Sequence, residues 1–140
     1  MSAESNKTIV GRLYEEVANN GKLDLLDELA VPDFEEHSPL PGQPGGIEGL
    51  KFRIASILTG FHPKYTLHRV IAEDDMVAVY WTMTGTHQGD VMGIPPTGRT
   101  VTFSGIDIHR LQDGRLAEHW HVIEALPMMQ QLGVLPGRPG

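Results

Sequence analysis

The stretch Thr100–Glu124, TVTFSGIDIHRLQDGRLAEHWHVIE, decides the fold. On either side of Asp113-Gly114-Arg115, β-branched, aromatic and aliphatic residues alternate with polar ones, as in a half-buried strand. The Asp-Gly step between them is a turn signal. Thr100–Leu111 and Leu116–Glu124 are therefore expected to form an antiparallel hairpin. A three-residue loop with Gly114 left-handed pairs Gln112 with Leu116, Arg110 with Glu118, His109 with His119 and Asp107 with His121. A two-residue loop slips the register by one and sets Asp107 against Trp120. The first register is preferred because it makes Arg110 and Glu118 a cross-strand ion pair on one face. The opposite face then carries Asp107, His109, His119 and His121 side by side.

Working outward, Thr66–Ile71 and Met76–His87 read as two more strands joined at Glu73-Asp74-Asp75. Gly89–Gly98, with Pro95-Pro96, is a longer loop at one end of the sheet. Upstream the period changes. Ile9, Val10, Leu13, Tyr14 and Val17 recur at helical spacing, which predicts a helix from about Ser5 to Asn20, capped by Ser5 or Asn6 and stopped at Gly21. A short helix carries Leu25, Leu26 and Leu29 and ends before Pro32. Ser38–Gly46 is Pro/Gly-rich loop. Ile47–Gly60 forms a third helix that buries Leu50, Ile54, Ile57 and Leu58, and Pro127–Leu132 adds a last helical turn. Helices followed by a strand meander define an α+β class, with helices packed on one sheet face. One domain, residues 1–140, fits this length.

Composition narrows the function. The chain has a net charge of −7 and scattered basic residues, a poor match to a nucleic-acid binder. No stretch approaches the twenty apolar residues of a membrane span, and the polar start lacks a signal-peptide core. With no cysteine there is no disulfide and no thiol chemistry, and a cytoplasmic location is the default expectation.

Asp107 stands among Phe103, Ile106 and Ile108, where a buried carboxylate is costly without a partner. It is expected to orient His121, leaving that imidazole to move a proton. His109 and His119 share the face and are candidates to bind substrate oxygens. Alternation along Val77, Val79 and Trp81 makes Trp81 a wall for a planar apolar ligand. His119 and His121 also form a two-histidine grip for which Asp107, His37 or Glu36 offers a third metal ligand.

Several stretches resemble the SnoaL-like polyketide (ester) cyclase family: Leu13-Tyr14-Glu15-Glu16-Val17, Pro32-Asp33-Phe34 through His37-Ser38-Pro39-Leu40-Pro41-Gly42, Gly93-Ile94-Pro95-Pro96-Thr97-Gly98, Ser104-Gly105-Ile106-Asp107-Ile108, Asp113-Gly114 and Glu118-His119-Trp120. The resemblance implies the cone-shaped fold of nuclear transport factor two, a curved, mostly antiparallel sheet closed by N-terminal helices around a pocket. It also implies ring closure of a hydrophobic polyketide carbonyl compound by intramolecular aldol condensation, without metal or organic cofactor, in a homodimer or higher homo-oligomer formed through the outer sheet face. In such cyclases an acidic residue on the last strand is the general acid/base. Here that position is His121, and Asp107 stands where they carry a histidine, so acid and imidazole have traded places. The family places substrate-contacting residues at Glu36 and His37. Epoxide opening on the same fold, and ligand binding without chemistry, are the alternatives.

Overall fold

The computed structural model describes residues 2–135. The single-domain expectation also spans residues 1 and 136–140, which lie outside the described residues. Helix α1, Ala3–Arg12, is capped by the Ser2 hydroxyl, which accepts from the Ser5 amide, one turn earlier than Ser5 or Asn6 would place the cap. It runs on through a π-helical segment, Leu13–Ala18, that carries Tyr14. Gly21, at φ 72°, ends it. A 3₁₀ turn at Leu23–Leu25 leads into α2, Leu26–Leu29, and strand β1, Ala30–Glu36, follows directly. After the Pro/Gly loop come α3 (Gly46–Phe61), β2 (Lys64–Glu73), β3 (Met76–Thr86), β4 (Thr100–Gln112), β5 (Arg115–Ile123) and α4 (Ala125–Leu132).

The five strands lie in the order β1-β5-β4-β3-β2. All neighbours are antiparallel except the edge strand β1, which runs parallel to β5. The α+β class and curved, mostly antiparallel sheet are as expected; β1 is not. The sequence pattern ends a short helix before Pro32 and begins a loop only at Ser38, and it marks no strand between them; Pro32, Asp33 and Glu35 dilute the strand pattern there. An edge position tolerates them, since proline there loses no ladder bond that the sheet needs.

The β4–β5 hairpin reaches the expected register by another route. Gln112 pairs with Arg115, so the loop is the two residues Asp113 and Gly114, both left-handed at φ 51° and 76°. Leu111 pairs with Leu116 but Arg110 pairs with Glu118, which leaves Ala117 as a bulge. The tighter turn slips the pairing by one residue and the bulge restores it. Asp107 therefore stands opposite His121, and His109 opposite His119.

Alternation then sorts the faces. Val77, Val79, Trp81, Val101, Phe103 and Leu111 point inward and are buried, while Tyr80, Ile106, Ile108 and Val122 face outward. α1, the π-helical segment and α3 cover the inner face with Val10, Leu13, Val17, Leu50 and Ile54. Between helices and sheet a cavity of about 550 Å³ remains open.

Candidate active site

The cavity is lined chiefly by aliphatic and aromatic groups, among them Leu13, Leu50, Ile57, Phe61, Met83 and Phe103. Asp107, His109, His119 and His121 border it together on the wall formed by β4 and β5, and Ser56 of α3 and Asp90 of the β3–β4 loop add polar groups elsewhere. Tyr14 approaches from the π-helical segment, Arg53 from α3 and Trp81 from β3.

Asp107 is held by three donors. Its Oδ2 accepts from the Tyr14 hydroxyl in a short contact and from Trp81 Nε1 at 2.9 Å. Its Oδ1 lies 3.2 Å from His119 Nε2. Burial alone would raise the Asp107 pKa, but His119, then His109 and Tyr14, hold it well below the usual carboxylate range. His119 Nδ1 in turn lies 2.7 and 2.8 Å from the two oxygens of Glu36. Both ring nitrogens thus point at carboxylates, the arrangement of an imidazolium. Burial opposes that charge, yet the bonds to Asp107 and Glu36 outweigh it and raise the His119 pKa above 6.5. Glu36 is likewise kept ionised, burial being overcome by His119, Arg53 and the Ser38 amide.

The other two histidines are neutral. Tyr14 has one proton and gives it to Asp107, so its oxygen accepts from His109 Nε2 at 2.8 Å. His109 Nδ1 then carries a bare lone pair, buried and without a partner among the described residues. Burial and the neighbouring His119 charge push the His109 pKa down to about 3. His121 lies beside Arg53 Nη2, 2.6 Å from Nδ1 and 3.1 Å from Nε2. Burial, Arg53 and His119 push its pKa down to about 4.

Several expected neighbours come together and others part. Asp107 and His121 pair across the strands, but their side chains do not bond. Asp107 reaches the diagonal His119, and His121 turns to Arg53. The expectation that Asp107 orients His121 is thereby corrected. Glu36 does not border the cavity; it sits behind His119 as its second carboxylate. His37, the other substrate-contacting position that the resemblance implies, does not border the cavity either. Strand alternation turns Glu36 inward and His37 outward, where it stacks on Trp120 with ring centres 4.5 Å apart and bonds Glu118 at 3.0 Å. Trp81 does line the wall, and it also fixes Asp107.

Tyr14 and Arg53 were missed. Each left a signal: Tyr14 continues the apolar stripe of α1 into the π-helical segment, where a buried hydroxyl must find a partner. Arg53 breaks the inward stripe of Leu50, Ile54 and Ile57 and is only 8% exposed. Glu36, His119 and His121 bring ligand atoms within 4.8 Å of one another, as do Asp107, His109 and His119. At the first set Arg53 already supplies a fixed positive charge, and His119 shares both its nitrogens with carboxylates, so the donor set suits a proton better than a cation.

The sequence and the fold both match a known group of proteins. Residues 8–132 match the family of SnoaL-like polyketide cyclases. The chain belongs to that family. It is 29% identical to nogalonic acid methyl ester cyclase of Streptomyces nogalater over 120 residues, 82% of this chain and 88% of the relative. Aklanonic acid methyl ester cyclase DauD of Streptomyces sp. strain C5 is 30% identical over 131 residues, covering 87% and 78% of the two chains. Among solved structures, TsrD from Streptomyces laurentii superposes with a TM-score of 0.87 at 28% identity over 96% of this chain and 99% of that one. This SnoaL-like protein is thus an enzyme of the cyclase type, with the cone-shaped fold its relatives share.

Proposed function

We propose that this cyclase closes a ring in a hydrophobic, polyketide-like carbonyl compound by intramolecular aldol condensation, using acid–base chemistry alone. The observation that carries the reading is the separation within one cavity of an apolar chamber from a single wall of paired acids and imidazoles. A carbon between two carbonyls loses a proton to a carboxylate, for which Asp107 is the ionised group on the wall. The enolate carbon then bonds to the second carbonyl carbon, whose oxygen takes up the proton that Asp107 removed, which regenerates the carboxylate. His121, the most accessible of the wall histidines, meets that oxygen. No atom is gained or lost, and no electron changes hands. Enclosure holds the flexible substrate folded for attack and strengthens each donor in a water-poor site. His119, with Glu36 behind it, keeps Asp107 charged and in place.

The epoxide hydrolases of this fold use an Asp-Arg-Asp arrangement. Here two carboxylates flank an imidazolium instead, which favours ring closure over epoxide opening.

The test is incubation with aromatic polyketide methyl esters of the kind named for the relatives, nogalonic and aklanonic acid methyl esters. The expected product is an isomer of unchanged mass and altered chromatographic retention, formed equally in the presence of a chelator. Asp107→Asn and His121→Phe should each lower kcat by about a hundredfold or more. A ligand that binds and returns unchanged would move the protein to the non-catalytic reading.

The same proposal includes a homodimer built through the outer sheet face. Ile71, Tyr80, Ile106, Ile108 and Val122 leave an unusual amount of apolar surface exposed there.

A further inference from the structure

On the opposite side of the sheet from the cavity, the end of β1 builds a second cluster of metal-ligating groups. The alternation that turns Glu36 inward turns Glu35 and His37 outward, and the parallel register sets Glu35 directly opposite Glu118 of β5. His37 Nε2 lies 3.0 Å from Glu118 Oε1 and 3.8 Å from Glu35 Oε1. Ligand atoms of all three residues fall within 4.8 Å of one another. None of the three borders the cavity.

The donors are held in place from outside the cluster. The His37 ring stacks on Trp120, with centres 4.5 Å apart and planes within 5°, which fixes the plane in which Nε2 faces the carboxylates. Arg110 grips Glu118 through Oε2 and leaves Oε1 turned to His37. A carboxylate that binds a metal is ordinarily anchored in this way by a hydrogen bond. Like charges directly opposite on neighbouring strands also cost stability. Arg110 offsets one of the two opposed glutamates, so the pair keeps a net negative charge that a cation would remove.

The spacing and the donor types select the ion. With metal–ligand bonds of about 2.0–2.2 Å in a tetrahedron, neighbouring donor atoms lie about 3.4 Å apart. The separations of 3.0 and 3.8 Å bracket that edge, and the Glu35 side chain, 63% exposed, is free to close the remainder. An imidazole nitrogen beside carboxylates suits zinc, whereas calcium and magnesium take all-oxygen sets.

We propose that Glu35, His37 and Glu118 bind a zinc-type divalent ion, with water completing the coordination, and that the ion clips edge strand β1 to β5. The β1–β5 register is interrupted between Ala30 and Glu35 and resumes at Glu35 and Glu36, and the His37 amide then donates to the His119 carbonyl at 2.9 Å. The clip therefore sits where the edge strand is attached. Glu35, Glu36 and His37 serve both faces of the sheet: the middle residue holds His119 and its neighbours hold the ion. The role is structural, ring closure does not run through it, and the two proposals fail separately.

The test titrates ZnCl2 into the full chain, stripped with a chelator and desalted, by isothermal calorimetry. One ion per chain with a Kd below about 100 μM is expected, about 5.5 kcal/mol of binding free energy. MgCl2 and CaCl2 should give no saturable heat. His37→Gln should weaken zinc binding by more than the ~tenfold typical of losing a residue that only supports a ligand. Glu36, His119 and His121 also lie close enough to chelate, so His121→Gln is the control. Unchanged binding in that variant supports the outer site; lost binding assigns the ion to the cavity and overturns the proposal. Zinc should also slow hydrogen exchange of the His37 amide in the wild type, and binding that leaves this exchange unchanged overturns the clip. A wild type that binds zinc more weakly than about 100 μM, or no more tightly than His37→Gln does, overturns the site itself.

Discussion

His119 is the residue on which the site's electrostatics balance. Its charge, with that of Arg53, offsets Asp107 and Glu36, so two buried carboxylates are matched by two buried cations. Neutralising one partner should therefore move His119 first. In Asp107→Asn its NMR titration midpoint should drop while that of His121 changes little; the reverse result would mean that Asp107 serves His121 after all. The pH dependence of stability has two limbs with opposite signs. His119 titrates above its ordinary 6.5 in the fold, so its contribution is complete below that pH and is lost as pH rises through the folded value. Glu36 and Asp107 titrate below their ordinary 4.5 and 3.8, so theirs is complete above those values and is lost on acidification. Urea midpoints measured from pH 6 to 9 should decline in the wild type and stay flatter in His119→Gln. Equal slopes would show that the imidazolium contributes nothing to folding. Trp81→Phe removes one donor from a buried carboxylate and should cost about 2 kcal/mol in denaturant unfolding.

At the scale of elements, the β4–β5 hairpin does most of the positioning, and its correctness depends on one inserted residue. Ala117 lets a two-residue turn and the pairing of Asp107 with His121 coexist. Without it the inward and outward sets of β5 would exchange faces. The sequence reading reached the right register because the charge match of Arg110 with Glu118 is real, although the turn it assumed is not the one formed. A bulge has no strong local signature when the extra residue is a small apolar one. Gly105 shows how closely the neighbouring strand approaches: a Cβ there would lie 2.5 Å from Trp81 Cζ2 and 2.9 Å from Ile123 Cγ2. Gly105→Ala should therefore push the indole off Asp107, lower stability by about 1–3 kcal/mol, and reduce turnover more than the stability loss explains. Unchanged melting and activity would show that the wall is softer than its packing suggests. Edge strand β1 was illegible because a parallel edge is held by backbone bonds to β5 and by tertiary context, not by its own alternation. The sequence offers Glu36 as a substrate contact or a metal ligand, whereas the strand brings it opposite His119.

For the whole molecule, the two sheet faces have different fates. The inner face is closed by helices and the cavity, whereas the outer face presents Ile71 at 64% and Val122 at 69% exposure, with Tyr80, Ile106 and Ile108 between 38% and 44%. A second copy of the chain is the proposed cover. Light scattering after gel filtration should give twice the monomer mass, and Ile106→Lys combined with Ile108→Lys should halve it while leaving the cavity residues untouched. A monomeric wild type would remove the dimer from the proposal. Among the described residues no helix is long and apolar enough to cross a membrane.

The sequence by itself determined the α+β class, the strand meander, the inward face of Asp107, His109, His119 and His121, and the family. Period, turn residues and motifs are properties of neighbouring positions along the chain, and they survive without knowledge of what packs where. Only the tertiary structure decided which acid holds which imidazole, that Glu36 stands behind His119 while His37 faces out, and that Tyr14 and Arg53 join the wall. Those contacts span separations such as Tyr14 to Asp107 and Arg53 to His121. A hydrogen bond depends on ångström-scale placement of side-chain tips, which is set by how α1, α3 and β1 pack onto the hairpin and not by any local pattern.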